Sequence, residues 1–141
     1  MKELDLCLKL RREINEIHEH ISELRSKMES ARNQVISDMP KSKSVNSGIE
    51  SYIIKCERLE EKRDKKYKEL DETWDRIRQS FILCGVKEIE ERAMFYRFVL
   101  GFKWNTVAAK MSEDHQDQNW NANKCFRTYR SVLYKLRKYN F

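Results

Sequence analysis

From Asn121 to the last residue the chain carries six basic side chains (Lys124, Arg127, Arg130, Lys135, Arg137, Lys138) and no acid, in a protein that holds 23 acids over 141 residues. A local excess of that kind attracts a polyanion. On a helix, Cys125, Tyr129, Val132, Leu133 and Leu136 share one face, so Lys124, Arg127, Thr128, Ser131, Lys135 and Lys138 project away from it. Arginine matches the O6 and N7 edge of guanine, asparagine matches adenine, and lysine or threonine holds phosphates. The expectation is therefore that Asn121, Asn123, Lys124, Arg127 and Thr128 meet base edges in a major groove. Arg130, Lys135 and Lys138 would grip the backbone, with Ser131 on the same exposed face. The competing reading is a solvated basic helix flanked by acids from the N-terminal half.

Little else in the sequence has the makings of chemistry. No glycine-rich phosphate loop, nucleophile motif or spaced set of metal ligands is present, so no catalytic residue, metal or cofactor is assigned and an enzyme is not expected. His18 and His20 lie two apart and point to different sides of a helix. His115 sits beside acids but has no second ligand at a helical spacing. Cys7, Cys56, Cys84 and Cys125 form no C-x-x-C pair and fall on apolar helix phases, which suits small buried hydrophobes better than zinc ligands or disulfides.

These residues need helices to position them. Three glycines and one proline leave few places to punctuate strands, while 37% of the residues are charged and sit in helix-like patterns, so the class is all-α. Cys7, Leu10, Ile14, Ile17, Ile21, Leu24, Met28, Ala31 and Val35 alternate steps of three and four, a coiled-coil seam with charged flanks. A loop is expected near 38–48, where Pro40 disfavours helix at Met39, and Ser47 with Glu50 fits a capping box opening the next helix. The second seam runs through Tyr52, Cys56, Leu59, Arg63, Tyr67, Leu70, Trp74, Ile77, Phe81 and Cys84, with a stutter around Arg63, a polar residue that either snorkels or sets the register. The two stripes can pair as an antiparallel hairpin within the chain, or the first can pair with its copy in another chain, and both can hold together.

Gly85 suits the left-handed position after a helix, and a second domain, 86–141, is expected to follow the hairpin of 1–85. There "VKEIEERAMFYRFVLG" reads as a helix ending at Gly101, with an apolar face through Ile89, Ala93 or Met94, and Phe98. "KWNTVAAKM" reads as a short helix that Trp104, a core residue, wedges against the first, and the basic segment closes as a longer one. Three helices with a turn before the last follow the helix-turn-helix plan. Charge follows the same division: 9 Lys/Arg against 8 Asp/Glu in 1–48, 9 against 9 in 49–85, and 11 against 6 in 86–141.

"RFVLGFKWNTVAAKM" resembles the DNA-binding fourth region of bacterial sigma factors and its phage relatives at Arg97, Phe98, Val99, Gly101, Trp104, Val107, Ala108 and Met111. "CFRTYRSVLYKL" is similar to that family's recognition helix, with Cys125, Tyr129, Val132, Leu133 and Leu136 at the apolar positions. The long helical first half with its "DMP" loop resembles small phage regulators of late transcription of the ArpU/RinA type. One departure stands out: "SEDHQDQNWNANK" between Met111 and Cys125 is about seven residues longer than the family's usual turn. It reads either as an acidic wing, or as a connection in which Asp117 caps a helix starting near Trp120.

The resemblance implies a sequence-specific regulator of phage or prophage late genes that binds double-stranded DNA. RNA polymerase, and a second copy of the chain through 1–85, are its candidate further partners. Two alternatives are a small terminase-type subunit for DNA packaging and a protein-interaction module or inhibitor that binds no DNA. No signal peptide or apolar run of about 20 residues is present, so no membrane partner is expected and the cytoplasm of the bacterial host is the expected place of action.

Overall fold

The computed structural model describes residues 1–37 and 43–141, with side chains at 1–33 and 48–141. Its elements are α1 (Lys2–Ser37), α2 (Lys43–Cys84), α3 (Glu88–Met94) running on as a π-helical turn (Phe95–Val99), α4 (Trp104–Asp114) and α5 (Ala122–Lys138). No strand occurs among the described residues, and no helix there is long and apolar enough to cross a membrane. The all-α expectation holds, with a long N-terminal helix pair and a C-terminal helical domain.

The packing divides the chain into two units, Glu13–Lys68 and the combination of Met1–Arg12 with Glu69–Phe141. In the first, α1 and α2 pair antiparallel within the chain. Glu13 meets Lys66 while Arg25, further along α1, reaches back to Glu60 at 2.9 Å, the antiparallel order; His18 Nε2 lies 3.1 Å from the Tyr67 hydroxyl. Ile17, Ile21, Leu24 and Cys56 form the core, with Tyr52 and Leu59 packed against it. Those are seam positions of both helices, as their three-four spacing predicts. Arg63 is half-buried at its seam position and turns its guanidinium to the neighbouring Asp64. His18, to which the sequence assigns no role, is exposed and meets Tyr67.

The expected loop, 38–48, falls into two parts. Its first part, with Met39 and Pro40, and the Val35 side chain lie outside the described residues. Its second part is helix: α2 begins at Lys43, so Ser47 lies inside the helix and does not cap it. A serine costs only about half a kcal/mol of helix propensity, which neighbours on a long helix can offset.

The second unit draws on both ends of the sequence. Leu4, Cys7 and Leu10 from α1 and Leu70, Trp74, Ile77, Phe81 and Cys84 from α2 are buried in it, together with Met94, Phe98, Val107, Met111, Cys125, Val132 and Leu136. The boundary expected at 85/86 therefore falls inside one unit. Aromatic packing is the reason: the Trp74 ring stands edge-on to Phe81 at 5.9 Å and tilts against Phe95 at 5.7 Å, across that boundary.

Two glycines set the corners. Gly85 follows α2 at φ +72°, and the Val86 N–H returns to the Phe81 carbonyl at 3.0 Å, closing a Schellman-type end. Gly101, at φ +74°, follows the π turn, in which the Leu100 N–H reaches back five residues to Phe95. Arg11 donates from Nε to the Val99 carbonyl at 2.6 Å, satisfying an acceptor that the helix end would leave open. The helix expected to end at Gly101 does stop there, but apolar spacing does not reveal its π turn; that turn brings the consecutive Phe98 and Val99 both into the core.

Candidate nucleic-acid interface

The start of α5 is fixed by Asn121, whose Oδ1 accepts the Lys124 N–H at 2.8 Å. Neither the acidic wing nor the Asp117 cap holds for the preceding segment. Asp117 caps nothing, Trp120 stays outside the helix, and Glu113 and Asp114 belong to α4, which leaves a seven-residue connection, 115–121. Asn captures the cap position because its short side chain folds back onto the first turn. At the other end the chain turns through Asn140 at φ +61°, with the Phe141 N–H bonded to the Leu136 carbonyl.

Burial sorts α5 as its apolar spacing requires. Cys125, Val132 and Leu136 are fully inside and Tyr129 and Leu133 half-buried. Burial pushes the Cys125 thiol up, which keeps it protonated and inert. Trp104 is half-buried, edge-on to Phe98 of the preceding helix at 6.5 Å, and it also stacks on Tyr129 of α5 with centroids 5.6 Å apart, a second contact beyond the expected one. Burial, and then the Asp5 carboxylate, push the Tyr129 phenol up against the opposing charges of Arg97 and Arg137. Arg97 lies 5.2 Å over the Trp104 ring and donates to the Phe102 carbonyl at 2.9 Å. Burial, followed by the nearby Arg12, lowers its pKa, though a guanidinium stays charged.

The candidate residues separate into two groups. Four make side-chain bonds within the fold. Asn121 uses its side-chain oxygen as the cap. Thr128 turns its hydroxyl to the Lys124 carbonyl at 2.9 Å, because its position on the helix lies toward the buried flank. Lys124 places its ammonium 4.2 Å over the Trp120 ring and donates to Gln118 Oε1. Lys135 is clamped by a carboxylate of the same molecule, Nζ to Glu90 Oε1 at 2.6 Å.

Glu90 is almost wholly buried and also accepts the Lys87 N–H at 3.0 Å, which opens α3. Burial alone would raise its carboxyl, but the Lys135 and Lys87 interactions outweigh this and hold it below its ordinary value. Lys135 and Glu90 are 45 residues apart in sequence, so no local spacing reveals the pair.

The second group is Asn123, Arg127, Arg130, Ser131 and Lys138. All five are exposed, and none makes a hydrogen bond or ion pair among the described residues. Their positions, together with Tyr134, form one outward stripe along the length of α5. Tyr134 is 71% exposed in the middle of it, and Arg137 is exposed at its margin. Neither was in the expected contact set, although helix phase alone places both there.

Of the acids before α5, Asp117 is exposed and without a partner among the described residues, whereas Asp114 and Glu113 are engaged elsewhere. Asp114 accepts from the Tyr96 hydroxyl at 2.5 Å and pairs with Arg92 at 3.3 Å, tying the end of α4 to α3. The Tyr96 bond first, with Arg92, holds the Asp114 carboxyl below its ordinary range. Glu113 pairs with Lys110. Inside the connection, the buried His115 Nε2 and Trp120 Nε1 have no partner. An elongated flank of cations, amide and hydroxyl, unopposed by its own carboxylates, can neutralise phosphates and hydrogen-bond to base edges. No protein-family model, curated protein or solved structure matches this chain.

Proposed function

We propose that the chain is a sequence-specific double-stranded DNA-binding protein, a regulator of phage or prophage transcription acting in the bacterial cytoplasm, with α5 as its major-groove reader. The observation that carries this reading is the outward stripe of α5, on which Arg127, Arg130 and Lys138 have no carboxylate partner among the described residues. Asn123 and Arg127, near the helix start, suit base edges, and Arg130, Arg137 and Lys138 suit the flanking phosphates. The hairpin unit is the candidate surface for RNA polymerase or for a second copy.

Arg130, Arg137 and Lys138 make three cations available to phosphates, so log affinity should fall against log salt with a slope of about −2.7, at roughly −0.9 per phosphate neutralised. Fluorescence anisotropy of a labelled duplex over a salt series measures it. Arg127→Glu, with helicity unchanged by circular dichroism, should abolish binding at moderate salt. Undiminished binding by this variant would remove α5 from the interface.

A second reading, a protein-interaction module, is favoured by Ile82 and Leu83, which are 76% and 67% exposed on the last turn of α2. Absence of any duplex affinity at low salt would promote it. A large ring by light scattering would instead favour the packaging role.

A further inference from the structure

One exposed apolar side chain of α5 is held in place. Phe126 is 47% exposed, on the second turn of the helix. Its ring stands edge-on to Trp104 at 6.1 Å and 89°, and to Tyr129 at 6.1 Å and 79°. Trp104 is itself stacked on Tyr129, edge-on to Phe98 and covered by the Arg97 guanidinium. The other exposed rings of this helix region, Tyr134 and Tyr139, have no ring partner among the described residues.

Phe126 follows Asn123 by three residues and precedes Arg130 by four, positions adjacent on a helix surface, so it borders the outward stripe. An aromatic hydrocarbon there gives phosphates nothing to bind. The apolar group that a major groove presents is the C5-methyl of thymine.

We propose that Phe126 is a specificity-determining residue that seats a thymine methyl beside the bases contacted by Asn123 and Arg127. The proposal rests on α5 being the major-groove reader. Two ring contacts fix the side chain before binding, so little rotamer freedom is lost when the methyl docks. This site would therefore require thymine at one position by shape and apolar contact, without a hydrogen bond.

The test uses duplexes recovered by the full chain from a randomised pool. Each thymine is then replaced singly by deoxyuridine, which removes only the methyl. For the unaltered protein, one replacement should weaken binding about fourfold, the effect of losing one buried methyl-sized group, and the others should have little effect. Phe126→Ala should bind the thymine and uracil duplexes equally, and Phe126→Leu, which keeps an apolar side chain, should retain part of the discrimination.

Indifference of the unaltered protein to every replacement would overturn the proposal while leaving DNA binding intact. So would a fourfold loss that persists in Phe126→Ala. Recovery of no duplex at all would overturn both the proposal and the reading beneath it.

Discussion

The hairpin unit and the helical unit draw on the same charged residue types and use them differently. Between α1 and α2, Lys66 faces Glu13 and Arg25 faces Glu60, and the core between them is a stripe of small and medium side chains. In the helical unit, rings and large aliphatics fill the centre, and cations follow the direction they face. The half-buried Lys135 is paired with Glu90, whereas the outward cations of α5 have no such partner among the described residues. The difference teaches that a basic count is a poor guide to a polyanion site until the cations already neutralised in place are set aside. Of the six on the last helix, Lys135 is paired with Glu90 and Lys124 lies against a tryptophan.

Core deletions should separate the units most widely. Phe81→Ala empties a ring-sized space beside Trp74, where Phe81 is 1% exposed, and should cost about 3–5 kcal/mol. Leu24→Ala, on the narrow stripe, should lie near the lower end of the range for such truncations, about 2 kcal/mol. Urea denaturation followed by far-ultraviolet circular dichroism measures both. Equal losses would mean that the two cores are packed alike.

Next in size are the corners. Gly85→Ala and Gly101→Ala both force a side chain into left-handed backbone, at about 1–2 kcal/mol. At Gly85 a Cβ meets nothing within 4 Å, whereas at Gly101 it would come 2.7 Å from Arg11 Cγ. Gly101→Ala should therefore be the worse by about 1 kcal/mol or more, the scale of an overpacking strain. In an Arg11→Ala background the excess should disappear. Thermal melts of both glycine variants and their parent in each background decide it, and an excess that survives would place its origin elsewhere.

These corners also show what was legible in the sequence. Gly85 and Gly101 could be placed because a glycine after an apolar periodic run has one common use. The seams of α1 and α2 and the buried face of α5 were legible for the same reason, since periodicity is a local signal that packing has to respect. The start of α2 and the cap of α5 were not, because serine and the polar run before Asn121 offer several competing caps. Glu90–Lys135 and Trp74–Phe95 could not be read at all, because they join residues that only the assembled fold brings together. Four of the nine expected contact residues were therefore turned inward or committed in ways that helix phase alone does not reveal.

Glu90→Gln sharpens the comparison of paired with unpaired cations. It keeps the shape but removes the charge opposite Lys135, and should cost about 1–2 kcal/mol at neutral pH, a charge-assisted bond in a site that water still reaches. The sign with pH comes from the depressed carboxyl. Its contribution is complete above the ordinary value of 4.5 and is lost as pH falls through the lowered folded value. The gap between the original protein and the variant should narrow in acid, and a gap constant from neutral pH to below 4 would assign the loss to packing.

The smallest effects lie at the surface and test the contrast most directly. Arg25→Ala breaks a pair whose arginine is 60% exposed and should cost about 0.2–1 kcal/mol, shrinking further in high salt. Arg130→Ala removes an exposed cation that has no carboxylate partner, from the middle of a helix where alanine is the better helix former, so stability should hold or rise slightly. Its effect belongs in the DNA measurement, where the salt slope should become shallower by about 0.9. A destabilisation of more than about 1 kcal/mol would exceed the usual range for surface substitutions. It would identify Arg130 as a support of the fold, and the outward stripe would then be another set of cations committed within the chain.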